Sequence, residues 1–247
     1  MSKLITRLDD LGISKGVNYG ILTAVQGGLA KTVGLMSNMK DASHGYNLIK
    51  DYPISIGIHV NVVLGCPVSN PIEISSLIEN GNFKKSSYYR TSKEDTINYQ
   101  EAAIEIKNQI QLFKSIAGKS PEYVDYHAAC TPTFVKALED VCEEMNLMYI
   151  PFPHGFVNNH ETHYCEIANG DEFNISPINF FERNKDIIIN NDISIAALHP
   201  GYVDSRIMNV SSLNLQRAID LEYISSEESK EWLEKNHIEL ADFSVFK

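Results

Sequence analysis

Leu4-Ile5-Thr6-Arg7-Leu8-Asp9-Asp10-Leu11-Gly12 is the stretch on which the fold turns, because a short buried-strand pattern runs straight into two adjacent carboxylates. Ionised neighbours in a closed interior are disfavoured by desolvation and by mutual repulsion. Such a pair persists where a cation, a base role or bulk water accommodates it. Taken alone, Asp9-Asp10 reads first as a solvated strand end with Asp10 capping the next helix. Three further runs change the balance: Ile54 to Ile58 ends in His59, Tyr123 to Tyr126 ends in His127, and Ile193 to Leu198 ends in His199-Pro200-Gly201. Each delivers an ionisable or metal-binding side chain at its C-terminal end.

Working outward, strand and helix patterns alternate. Ser14 caps a predicted helix with the apolar face Val17, Ile21, Leu22 and Val25, and Gly27-Gly28 stops it. Thr32 to Met36 reads as a strand, Ala42 to Lys50 as a short helix, and Pro53 marks the boundary before the run that ends at His59. Residues from Gly65 to about Arg90 are polar and rich in Pro, Ser and Asn, which predicts a loop insertion near the strand ends. Helical spacing returns at Ile97, Ala102, Ile106, Ile110 and Phe113, and again at Phe134, Leu138, Val141 and Met145. Phe152 to Lys185 reads as a second long loop around the mouth; the last helices are Leu213 to Ile219 and Ser225 to Asn236.

Repeated strand-then-helix units imply parallel strands joined by right-handed crossovers. At 247 residues the expected fold is an α/β, single-domain (β/α) barrel-like structure covering residues 1–247, with the active site at the C-terminal ends of the strands. The first turn lacks a G-x-G-x-x-G, which removes the usual reason to propose a dinucleotide fold. A net charge of −11 with no basic run argues against nucleic acid and against an anionic membrane surface. Neither a signal-peptide pattern nor a spanning apolar window occurs, so a soluble cytoplasmic protein is expected. Cys66, Cys130, Cys142 and Cys165 show no C-x-x-C spacing and read as buried free thiols.

A barrel gathers Asp9, Asp10, His59, His127 and His199 around one mouth. Two imidazoles and a carboxylate form a three-ligand set that leaves positions open for water and substrate. Strand alternation lets one Asp hold a metal while its neighbour takes a proton. The same ligands suit a non-haem iron site, so spacing leaves both hydrolysis and oxygen chemistry open. Asn61, two residues after His59, should project on the ligand's side and reach substrate or orient the ligand. Asp204 and Arg206 beyond the His-Pro-Gly turn are candidates to orient His199 or grip a sugar. His154, His160 and His163 read as solvated histidines of a polar loop rather than as a second metal cluster.

The ordered motifs resemble a known family. Asp9-Asp10-Leu11-Gly12-Ile13-Ser14 followed by Gly16 to Ile21 is similar to the N-terminal signature of the YdjC-like carbohydrate deacetylases. The likeness continues through Gly57-Ile58-His59-Val60-Asn61, Gly65-Cys66-Pro67, Val124-Asp125-Tyr126-His127, His199 to Asp204, and the stretch around Arg217, Ser225 and Ile238. It implies a metal-dependent hydrolase that removes acetyl groups from N-acetylated amino sugars or oligosaccharides, with a divalent ion (magnesium or zinc) and a homodimer. Carried over by position, Asp10, His59 and His127 bind the metal, Asp9 is the general base, and His199 is the acid or oxyanion stabiliser. Arg7-Leu8 departs from the family's Asn-Ala, and His127-Ala128-Ala129 departs from its His-Gln-His, which leaves room for a substrate other than a chitin fragment. Two alternatives stand beside this reading. A phosphoesterase or isomerase on the same barrel needs a phosphate-gripping loop that the sequence does not display, and a non-catalytic sugar-binding barrel is suggested by Ala129.

Overall fold

The computed structural model describes residues 2–128, 131–166 and 179–247. Apolar strand runs and amphipathic helices alternate as β1 (Lys3–Leu11), α1 (Lys15–Gly27), β2 (Thr32–Leu35), α2 (Ala42–Ile49) and β3 (Ser55–Val60). They continue as α3 (Tyr99–Ala117), β4 (Val124–Tyr126), α4 (Pro132–Glu144), β5 (His163–Tyr164), β6 (Ile193–Leu198), α5 (Leu215–Ser225), α6 (Glu227–Lys235) and β7 (Glu239–Ala241). The sheet order is β4-β3-β2-β1-β6-β5, with β7 beside the first residues of β1, and every pairing is parallel. The sheet curls into a half-barrel.

Alternation along the strands sorts the core into two layers. Leu4 and Leu8 of β1 face the helices and join the large cluster with Ile21, Ala24, Ile106 and Phe113. Ile5 of β1 and Ile195 of β6 face inward, where Tyr123, Phe243 and Phe246 fill the interior. Arg7 and Asp9 follow Ile5 at the same two-residue period, so the inward column changes from apolar to charged as it climbs. Gly57 of β3 exists to admit the filling: a Cβ there would lie 2.5 Å from the Tyr123 ring.

The caps follow local chemistry. Ser14 accepts from the Val17 N–H at the start of α1, and Gly28 in the left-handed region closes its end. Several expectations need revision. The stretch after Gly65 carries short elements, namely a turn of 3₁₀ helix at Pro71–Leu77, a small antiparallel hairpin and the helix Ser86–Thr91. The second polar stretch contributes a hairpin and the edge strand β5, whose two residues give too short a period to be read. β7 and the turn Phe243–Phe246 at the chain end were not anticipated either. Cys142 and Cys165 are buried thiols, and burial pushes each up to about 12, whereas Cys66 is exposed, contrary to expectation. Cys130 and Ala129 lie outside the described residues. Among the described residues no helix is long and apolar enough to cross a membrane.

Candidate metal and catalytic site

A bulge at the end of β1 builds the site. Leu8 pairs with Val33 and Leu11 with Leu35, so β1 advances three residues while β2 advances two. Asp10 takes up the extra residue in the left-handed region at φ 73°, a conformation that Asp tolerates better than most side chains. The usual alternation is thereby suspended, and both Asp9 and Asp10 reach the mouth. Gly34 of β2 keeps the floor open beneath them: a Cβ there would lie 3.1 Å from the His59 Cβ and 3.4 Å from Asp9 Oδ1.

Asp10, His59 and His127 each offer a donor atom, and the three atoms lie within 4.8 Å of one another. Asp10 Oδ1 is 2.8 Å from His127 Nδ1 and 3.6 Å from His59 Nε2. The other face of the His59 ring is fixed, because its Nδ1 lies 2.7 Å from Asp125 Oδ1. A carboxylate on one ring nitrogen turns the other toward the cavity, the arrangement metal-binding histidines adopt. Burial opposes charge on His59, but Asp125 and Asp9 outweigh it and raise the imidazole to about 9. Burial likewise works against the charge on Asp10, yet His127 and Arg217 hold its carboxyl well below the usual carboxylate range.

Asp9 is buried on the same side. Arg7 Nη2 donates to its Oδ2 at 2.8 Å, while its Oδ1 has no hydrogen-bond partner among the described residues. Arg7 Nη1 lies 3.0 Å from Asp125 Oδ2, and its guanidinium sits 5.7 Å from the centre of the Tyr164 ring. Tyr164 belongs to the second polar stretch, so part of that loop does line the interior.

Helix α5 ties down the remaining corner. Arg217 Nη2 donates to Asp10 Oδ2 at 2.6 Å, and one turn later Asp220 Oδ2 accepts the His199 backbone N–H at 2.8 Å. Burial raises the Asp220 carboxyl against the pull of His199. The His199 Nδ1 is buried without a hydrogen-bond partner among the described residues.

Of the five expected residues, Asp10, His59 and His127 come together, Asp9 lies beside His59, and His199 is near enough for its charge to act on Asp10. The three residues expected to contact substrate or orient ligands make structural bonds here. Asn61 accepts from the Val63 and Leu64 N–H groups and donates to Asn38 Oδ1 and the Leu64 carbonyl, closing the turn after β3. Asp204 caps the helix Ser205–Val210 and accepts from the Gly16 N–H, and Arg206 Nε donates to the Ile13 carbonyl. No group of His154, His160 and His163 comes together among the described residues. Four charged residues around the site have no role assigned from the sequence, although Arg7, Asp125 and Arg217 fall in the stretches quoted above. Arg7 and Asp125 stand two residues from Asp9 and His127, a same-face spacing; Arg217 and Asp220 share a helix face at i, i+3.

A two-imidazole, one-carboxylate set, buried and backed by carboxylate and guanidinium partners, fits a divalent ion in its donor chemistry. The chain is also similar to known proteins. The chain is 30% identical to a carbohydrate deacetylase of Clostridium beijerinckii over 252 residues, which covers 98% of each chain. It is 34% identical over 125 residues to a chitooligosaccharide deacetylase of Salmonella paratyphi B, covering 50% of this chain and 48% of that one. A crystal structure from Enterococcus faecalis, provisionally named a cellobiose-phosphate cleavage protein, superposes with a TM-score of 0.84 at 19% identity and covers 99% of this chain and 98% of that one. The family model described as YdjC-like protein matches residues 3–235, and the chain belongs to that family.

Proposed function

We propose that this protein removes acetyl groups from N-acetylated amino sugars or oligosaccharides, an amide hydrolysis that depends on a divalent metal held by Asp10, His59 and His127. The observation that carries the reading is the meeting of those three donors within 4.8 Å beside a buried carboxylate, Asp9, whose Oδ1 is unpartnered among the described residues. The names of the relatives support the substrate class. A divalent ion held by Asp10, His59 and His127 would supply Lewis acidity toward water and the acetamide carbonyl.

The chain's own residues supply the proton transfers. Asp9, acting through Oδ1, takes the proton of the attacking water, while Arg7 occupies Oδ2 and keeps that oxygen out of the reaction. His199, anchored through its backbone by Asp220, gives a proton to the departing sugar amine. Asp125 and Arg217 bond His59 and Asp10 from behind and hold their donor atoms in register. Two imidazoles favour zinc or a similar ion over magnesium, which prefers oxygen ligands. A homodimer, supported by the family resemblance, and a cytoplasmic location, expected from the sequence pattern, belong to the same proposal.

The test is release of free amine from a panel of N-acetylated sugars by metal-loaded and chelator-treated protein. Metal-dependent release on at least one acetamido sugar is the expected result. Binding of such sugars with no release under any metal would support a non-catalytic barrel instead.

A further inference from the structure

Two overlapping groups in this interior have the makings of a cation site, and they share His59: Asp10–His59–His127 and Asp9–His59–Asp125. Nothing in the donor types alone decides between them, since the second offers two carboxylates and an imidazole, also a competent set. The first group carries one carboxylate and the second carries two, so bare charge favours the second. Arg7 reverses that preference. Its Nη2 is 2.8 Å from Asp9 Oδ2 and its Nη1 is 3.0 Å from Asp125 Oδ2, so one guanidinium spans both carboxylates of the second group. It makes no such pair with Asp10, whose own guanidinium partner is Arg217. The side chain is buried to the same degree as its two partners, and the Tyr164 ring covers it.

We infer that Arg7 is a positioning residue that selects the metal site: its guanidinium serves as the built-in cation of the Asp9–Asp125 pair and directs the metal ion to Asp10, His59 and His127. Three consequences follow from the geometry. Asp125 keeps one oxygen for Arg7 and the other for His59 Nδ1, so His59 faces the first group with Nε2. Asp9 is held away from metal by its pair with Arg7 and retains a free Oδ1 for proton transfer. A lysine at this position preserves the charge but has a single ammonium, which cannot match the planar fork that reaches both carboxylates.

This inference rests on the metal-dependent reading above, and its test uses binding rather than turnover. Zinc and cobalt binding to the full chain would be measured by calorimetry, and the cobalt adduct by its visible spectrum, in the parent, Arg7→Met, Arg7→Lys, Asp9→Asn and Arg7→Met/Asp9→Asn proteins. The parent and Asp9→Asn should bind one ion with the same spectrum. Arg7→Met should either gain a second equivalent or change spectrum and affinity, the latter by ~10–100-fold as for other losses of support behind a ligand. Adding Asp9→Asn to it should bring stoichiometry and spectrum back toward the parent, and Arg7→Lys should lie between. Arg7→Met that binds one ion with parent affinity and spectrum would overturn the inference. If Arg7→Met does not fold, Asp9→Asn decides: unchanged zinc binding supports the assignment, and loss of binding makes Asp9 a ligand and overturns it. A protein that binds metal in this pattern but releases no amine from any acetamido sugar would refute the deacetylase reading and leave the role of Arg7 standing.

Discussion

At the scale of single residues, neighbouring side chains divide the labour. Asp9 and Asp10 are adjacent in sequence, yet Arg7 claims one and Arg217 the other. Asp9→Asn should therefore retain the metal while lowering kcat by ~10²–10⁴-fold, the usual contribution of a general base. Asp10→Asn should lose metal and turnover together. Steady-state kinetics beside metal analysis separates the two, and reversed metal behaviour would mean that the roles are exchanged. His59 sets the pH dependence. Its imidazole stands at about 9, above its ordinary value of 6.5. In the metal-free protein the ion pairs of the protonated ring stabilise the fold fully below about 6.5 and are lost as pH rises through about 9. A metal at Nε2 displaces that proton, so affinity should climb as pH approaches 9 and level off above it. Calorimetry in buffers of different ionisation enthalpy would read the released proton, and an affinity flat across that range would exclude His59 from the ligand set.

At the scale of elements, what sequence patterning revealed is tied to length and period. β1, β3 and β6 have six residues or more, and their ends deliver Asp9-Asp10, His59 and His199 where the alternation of apolar runs places them. β5 has two residues and was read as loop, although its Tyr164 ring packs against Arg7. The bulge that brings Asp10 round was hidden as well, because a one-residue register change between β1 and β2 depends on tertiary pairing, not on composition. Asn61, Asp204 and Arg206 lie close to the site in sequence, but most of their hydrogen bonds go to backbone groups that sequence cannot locate. The close packing between strands gives a direct test. Alanine at Gly57 would place a Cβ 2.5 Å from the Tyr123 ring, so Gly57→Ala should destabilise the fold by ~1–3 kcal/mol in chemical denaturation. An unchanged midpoint and slope would mean that the ring moves aside without cost.

At the scale of the whole molecule, the half-barrel works as a graded interior. Apolar residues, among them Ile5, Ile195, Phe243 and Phe246, fill one end, and the charged column from Arg7 to Asp9 leads to the candidate ligands at the other. Burial strengthens every ion pair in that column, and each carboxylate in it has a cationic or imidazole neighbour. Three side chains from separate segments, Asp10 of β1, His59 of β3 and His127 beyond β4, are proposed to share one ion. Elemental analysis of purified Asp10→Ala, His59→Ala and His127→Ala tests this most directly. All three folded variants should lose most of the parent's bound metal, and full occupancy in all three would rule out the shared ion.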